Sequence, residues 1–425
     1  MDSDLKKIAS EIFRKTLLAI KPEKLILKNI GLEDGYLKIC EDYIPIHNRE
    51  KFYVIGAGKA SARMAVGLEQ VLGDRIRDGL IISPQGVEAA TQIIQIFEGA
   101  HPKPDYHTLA SSIEMLNFVR SVPKGAKIIA LFSGGASSLF EIPAGEIELS
   151  ELRLMYDLLL KSGAGIHEMN TVRKSMSLVK GGNTLGYLNE TNVFNVLISD
   201  VPGDNPSYIG SGPTVLDTVK PEDALNILKK YDLIPHTPES VIRAISTLKP
   251  LTNTSVIKNY IIGTSKICAE TAGNFASDFA YEPNILKDSY DITAEDLCNM
   301  ITGDLKKAKG KKAYIYHGES MVKVTGDGKG GRNQHVALLM SEKLSGKSGV
   351  CLLSAGTDGR DGPTDAAGAL VDGTTIQRAE QLGMKLNEYI NRFDSYHYFK
   401  SLNDLIFTGP SGNNLMDLQI LLTDL

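Results

Sequence analysis

The sequence predicts an α/β protein in two domains, the first of them a Rossmann-like, doubly wound parallel sheet. Three observations predict this. The chain has 425 residues, more than one core usually organises. Short apolar runs alternate with helix-periodic segments through its first half, the pattern of parallel strands joined by crossover helices. Almost every apolar run stops at a turn of glycine, serine or acid, which is where such a sheet places ligand chemistry.

Composition narrows the function. With 42% hydrophobic and 23% charged residues the chain reads as soluble and globular. A net charge of -5 and a pI near 6.0 argue against a nucleic-acid surface. Cys40, Cys268, Cys298 and Cys351 form no Cys-x-x-Cys pair, which excludes a zinc knuckle or disulfide framework and fits a reducing compartment. No apolar run approaches the roughly 20 residues that cross a bilayer. Leu5, Ile8, Ile12 and Leu17 recur at helical spacing among charges, so the N-terminus reads as an amphipathic packing helix and not a signal peptide. The expectation is a cytoplasmic protein with no membrane or nucleic-acid partner.

Taken in order, a strand at Lys51–Ile55 ends at Gly56-Ala57-Gly58-Lys59, with a helix through Ala65, Leu68 and Leu72. That turn puts Lys59 at a helix start, a position for a cation touching phosphate or carboxylate. It lacks the third glycine and the ribose acid of a dinucleotide fingerprint, and it is too short for a Walker loop. Strands follow at Gly79–Ser83 and Ile93–Phe97, the latter leading to His101 just before the stiffening prolines Pro102 and Pro104. The strand Lys127–Phe132 ends in Ser133-Gly134-Gly135-Ala136-Ser137-Ser138, with more hydroxyls than a helix cap requires. Helices are expected at Glu151–Lys161 and His167–Lys180, the second carrying Asn170, Arg173 and Lys174 on one face. The strand Asn192–Ile198 then stops at Asp200, a candidate base or metal ligand.

Pro235–Asn253 reads as the boundary, giving domains at 1–240 and 255–425. Beyond it, a strand at Tyr260–Gly263 and a helix at Ile267–Phe279 open the second domain. His317-Gly318-Glu319-Ser320 suits a hairpin turn between Lys312–His317 and Val322–Val324. Two glycine-dense loops stand out after it: Gly326 to Asn333, and Ala355 to Asp365 with Asp358, Asp361 and Asp365. A helix at Asn333–Leu344 and a strand at Gly349–Ser354 separate them. Glycines with basic residues and carboxylates point to anion and metal chemistry.

The ordered set of loops resembles the glycerate 2-kinases whose C-terminal half is a MOFRL domain. Gly-Ala-Gly-Lys-Ala at Gly56, Ser133 to Ser137, Asn170 to Lys174 with Lys180-Gly181-Gly182, and Ser199 to Asp204 carry the resemblance in the first half. Ser211 to Thr214, Gly330 to Asn333 and Gly356 to Gly362 complete it. Two departures are His317-Gly318-Glu319-Ser320 for the family's Gly-Gly-Glu-Thr, and Ser411-Gly412-Asn413-Asn414 for Thr-Gly-Thr-Asn. The resemblance implies a Rossmann-like N-terminal domain, a smaller α/β C-terminal domain of MOFRL type and a site in the cleft between them. The implied reaction converts ATP and D-glycerate to ADP and 2-phosphoglycerate, with Lys59 and Arg332 as the catalytic pair.

Phosphoryl transfer asks for positioning and charge neutralisation. Asp200, Glu319 and Asp358 are the candidates for Mg²⁺, and one of them for the base that takes the C2 proton. Gly56, Gly58, Lys59, Gly330, Gly331, Asn333 and Asp358 are the candidate nucleotide and phosphate contacts. Ser133, Gly134, Gly135, Ser137 and Arg173 are expected to hold the glycerate carboxylate. A homodimer is compatible with all of this and not required by it. Two alternatives are a nicotinamide-dependent hydroxypyruvate or 2-hydroxyacid reductase, resting on the Gly56-x-Gly58 turn, and a non-catalytic sugar-acid or phosphate sensor.

Overall fold

The computed structural model describes residues 2–188, 190–217, 220–247 and 254–425. Two compact units emerge, one of Pro22–Ile262 and one of Met1–Lys21 with Gly263–Leu425. This differs from the expected boundary at Pro235–Asn253, of which residues 248–253 lie outside the described residues. Two elements move across it. The strand Val256–Gly263 joins the N-terminal sheet as an edge, and the helix Asp2–Ala19 packs with the C-terminal unit. Proline and hydroxyl content marks where a chain turns, but not which sheet edge the next strand completes.

The N-terminal domain is built on a six-stranded sheet. Across it run Ile94–Gly99, Ile76–Pro84, Phe52–Ala57, Lys127–Phe132, Asn192–Ile198 and Val256–Gly263. The first five are parallel to their neighbours. The chain therefore starts in the middle, winds outward over two strands, then crosses to the other side of Phe52–Ala57 and winds outward again. Such strands are covered on both faces and read as continuous apolar runs. Ile55, Leu80, Ile128, Phe132, Val193 and Leu197 lie in one core with Met115 and Val119 of the helix Tyr106–Ser121. A second core of Leu152, Met155, Val172, Leu228 and Ile245 binds the helices Leu149–Lys161, Ile166–Ser175, Pro221–Lys230 and Glu239–Ser246. The sequence reading missed a small antiparallel sheet of Ile30–Glu33, Tyr36–Ile39 and Asp42–Pro45.

The C-terminal domain has a seven-stranded mixed sheet. Its long strand Lys311–Met321 pairs parallel with Glu282–Ile285 and Tyr290–Thr293, and antiparallel with Asp417–Asp424. Beyond Asp417–Asp424 come Val350–Gly356, Gly368–Asp372 and the short Leu405–Ile406, all antiparallel. The expected hairpin at His317–Ser320 is absent; those residues continue the strand. Gly318 is needed there because a Cβ would fall 2.1 Å from the Tyr290 carbonyl oxygen of the neighbouring strand. It serves a close strand approach, not a turn.

Candidate functional site

In the N-terminal domain the sheet reverses its winding between Phe52–Ala57 and Lys127–Phe132, and a doubly wound sheet binds ligands at the carboxyl ends of such a strand pair. The two loops that leave these strands are interlocked. The Lys59 amide donates to the Gly134 carbonyl at 2.9 Å and the Ala60 amide to Ser133 Oγ at 3.0 Å. Gly58, with φ +141°, has no room for a side chain, because Ser133 Oγ lies 2.1 Å from where its Cβ would sit. Gly134 is equally constrained, since the Asp200 carboxylate would lie 1.8 Å from its Cβ. Gly135, in the left-handed region, is backed by the His101 ring and the Lys59 side chain, 3.0 and 3.2 Å from its Cβ position. Lys59, Ser133, Gly134, Gly135, His101 and Asp200 thus converge at one strand-end cluster, and half-buried Ser137 lies one turn further on.

The electrostatics of this cluster are uneven. Among the described residues the Lys59 ammonium has no hydrogen-bond or ion-pair partner. His101 as a whole is exposed, but partial burial of its ring against the Gly135 turn, and then the Lys59 charge, lower its pKa from 6.5 to about 4, so the imidazole is neutral at physiological pH. Gly56 has a packing reason to be glycine. The Leu131 carbonyl oxygen would lie 2.1 Å from its Cβ, so glycine there permits the two strands to approach.

Arg173 packs against Tyr156. Its guanidinium lies 4.6 Å over the Tyr156 ring, and its Nε is buried with no hydrogen-bond partner. The helix that carries it ends at Ser175, short of the predicted Lys180. Lys180 instead turns into the protein, where it is wholly buried and donates to Glu141 and to Tyr156 Oη. Tyr156 also donates to Glu141. The described contacts of Arg173 are thus with this buried cluster.

The C-terminal domain gathers a second set. Arg332 begins the helix Arg332–Leu344 and lies beside two carboxylates. Its Nη1 donates to Glu319, while its Nε and Nη2 face Asp417 at 2.8 and 3.1 Å, a two-pronged grip. Burial pushes the Asp417 carboxyl up to about 6 against the pull of Arg332 and Asn333. Burial also works against the Arg332 charge, but Asp417 and Glu319 outweigh it and raise its pKa. The two shifts share a sign because Asp417 is 1% exposed and dominated by desolvation, whereas Arg332 is 34% exposed.

Asp417 was not singled out from the sequence, and neither was the capping role of Asp361. Asp361 accepts the Asn333 and Gln334 amides at 3.0 and 2.8 Å, so a carboxyl group of the protein already caps the amino end of this helix. Asn333 is enclosed as well. Its Nδ2 donates to Asp417, and its Oδ1 accepts from Ser354 and Gln419, at 2.8, 2.9 and 3.1 Å. Asn333 therefore has no group left for a phosphate, contrary to expectation. Glu319, Asp358, Gly330, Gly331 and Arg332 line one cleft of about 900 Å³. The two glycines are tightly packed there, their Cβ positions 2.1 Å from Ser395 Oγ and 2.3 Å from Asp361.

Comparison with known proteins also finds two matching regions, the first of which includes residues 8–21 that pack here with the C-terminal unit. Residues 8–246 match a domain described as a domain of unknown function (DUF4147), and residues 312–417 match the MOFRL family. D-glycerate 2-kinase of Thermotoga maritima is 38% identical over 98% of both chains. The crystal structure of a glycerate kinase from the same organism superposes with a TM-score of 0.89, covering 99% of this chain and 100% of that one at 36% identity. The chain belongs to the MOFRL-type glycerate kinase family. A relative in Agrobacterium vitis, 34% identical over 87% of this chain and 98% of its own, carries a hydroxypyruvate-reductase name. Glu319, the acid within the first departure, lies on a strand beside Asp417–Asp424. Of the second departure, Asn413 Nδ2 donates to the Ile20 carbonyl at 2.6 Å, a structural bond within the C-terminal unit.

Proposed function

We propose that this protein transfers the γ-phosphoryl group of ATP to the C2 hydroxyl of D-glycerate, giving ADP and 2-phosphoglycerate. The observation that carries the reading is Lys59 at the switch point, with no counter-ion among the described residues, set on the Ser133–Gly135 turn beside a neutral His101. An ammonium with no counter-ion among the described residues, next to hydroxyls and turn amides, suits an anionic substrate. Ser133, Gly134, Gly135 and Ser137 hold the glycerate carboxylate. Asp200, against Gly134, takes the C2 proton as the C2 oxygen attacks phosphorus and the bond to the β,γ-bridging oxygen breaks. Lys59 and Arg332 neutralise charge on the moving phosphoryl group, work that makes up most of this chemistry.

Among the described residues no group of three or more His, Cys, Asp or Glu is arranged to hold a metal. Mg²⁺ needs only one or two carboxylates beside phosphate oxygens and water. Glu319 and Asp358 fit, as both line the cleft and only one oxygen of Glu319 accepts from Arg332. When bound, Mg²⁺ supplies charge neutralisation at the phosphates.

Phosphorus NMR of the product tests the proposal. The expected result is ATP-dependent formation of the 2-phospho isomer; a 3-phosphoglycerate resonance would overturn the regiochemistry. The reductase reading rests on the Gly56-x-Gly58 turn, yet Gly56 is consumed by strand packing and Gly58 by Ser133. Oxidation of a reduced nicotinamide by hydroxypyruvate, followed by absorbance, would revive it.

A further inference from the structure

The cleft of the C-terminal domain has more in it than anion chemistry needs. One part carries Arg332, Glu319 and Asp358. Another is apolar: Met321, Val322 and Val324 line it as the chain leaves the long strand, with Met321 53% and Val324 62% exposed. Phe393 joins them, in an unusual backbone state. It closes the helix Leu386–Arg392 at φ 57° and ψ 38°, a left-handed conformation rare for a bulky side chain. Its ring lies parallel to that of His335, centroids 4.9 Å apart and planes 13° apart.

The glycine loop secures this arrangement. Cβ positions on Gly326 and Gly328 would fall 2.5 Å from the Arg392 carbonyl oxygen, and that on Gly330 2.1 Å from Ser395 Oγ. The loop leading to Arg332 is thus packed directly on the turn that carries Phe393. Three lining residues add a polar signal. Ser320, His335 and Ser395 are 2%, 4% and 1% exposed, and Ser320 Oγ, His335 Nδ1 and Ser395 Oγ have no hydrogen-bond partner among the described residues. Buried polar atoms are nearly always paired, so three orphans lining one cavity point to a ligand that completes them.

Glycerate, a three-carbon hydroxyacid, has no use for an aromatic and aliphatic wall. A nucleotide has a flat base, a sugar with hydroxyls and a polyanion. We propose that this cleft seats the nucleotide, its base along Phe393 and the Met321–Val324 segment, its phosphates towards Arg332. The inference rests on the kinase reading and adds the residues that recognise the nucleoside end.

Phe393→Gly tests it. Glycine suits the left-handed backbone, so the fold is retained while the ring is lost. The dissociation constant for ATP by calorimetry, and KM for ATP, should rise at least about fivefold, as expected for a lost base contact. KM for glycerate should stay within about twofold of the parent. Val324→Asp, at an exposed position, should weaken ATP by a similar factor, and Phe393→Tyr should restore binding. Parental ATP affinity in both Phe393→Gly and Val324→Asp, with turnover intact, would overturn the inference. A parent that binds ATP but does not phosphorylate glycerate would overturn the kinase reading instead.

Discussion

Arg332 is a cation that the fold grips with two carboxylates. Glu319 takes one nitrogen, and Asp417 takes two others from a site that is 1% exposed. A guanidinium needed only for its charge would be cheaper left in water, because enclosing Asp417 raises its carboxyl from 3.8 to about 6. What the enclosure gives is direction: a planar fork held by a fixed carboxylate. Removing the cation by Arg332→Ala should lower kcat at least about a hundredfold. Asp417→Asn keeps the cation and loosens its aim, so kcat should fall roughly ten- to a hundredfold. The pH profile separates a positioning role from a structural one. Asp417 is ionised, and its grip complete, above about pH 6, so parental kcat should decline as pH falls through that value. Stability runs the opposite way, since a carboxyl raised by burial stabilises the fold below its ordinary pKa and that contribution is lost as pH rises through about 6. Asp417→Asn should abolish both trends. An acid limb near pH 6 that survives the substitution would belong to another group.

At the scale of elements, the sequence made the strand-end loops legible because glycine and serine clusters interrupt apolar runs at the sites where a parallel sheet must turn. The interlock of Gly58 with Ser133 and of Gly134 with Asp200 was not legible, since it depends on two loops meeting in space. Asp417 was hidden for the same reason. It opens a strand after a glycine-rich turn, with no local signal, and owes its role to register: it pairs with Gly318 on one side and Gly356 on the other, which brings it beside Glu319 and the Arg332 helix. The glycines near Arg332 were read as ligand contacts, but their Cβ space is occupied by protein. The early end of the helix Ile166–Ser175 is the most consequential difference, because it sends Lys180 inward to Glu141 and Tyr156. Burial lowers the Lys180 pKa against the pull of Glu141. Glu141→Gln would leave that lysine enclosed without its counter-charge, and urea unfolding should show a loss of about 3–5 kcal/mol. The double variant Glu141→Gln, Lys180→Met should recover most of it. Additive losses would mean that the two side chains are not coupled.

At the scale of the whole molecule, the C-terminal unit includes the start of the chain. The helix Asp2–Ala19 buries Leu5, Ala9, Ile12, Phe13 and Leu17, and packs on the helix Ser265–Asp278 and the strand Val350–Gly356. Lys6 strengthens the attachment, its ammonium 2.9 Å from Asp404 and 3.1 Å from Asp372, with little solvent around any of the three. A helix whose apolar stripe is this well covered takes its stability from packing more than from propensity. Phe13 is 1% exposed, so Phe13→Ala removes a large buried ring and should cost about 3–5 kcal/mol. The loss should be confined to one unit. Hydrogen exchange should accelerate in Ser265–Asp278 and Val350–Gly356, while amides of Phe52–Ala57 and Lys127–Phe132 keep parental rates. Faster exchange in the parallel sheet with unchanged protection around Val350–Gly356 would sink the assignment of this helix to the C-terminal unit.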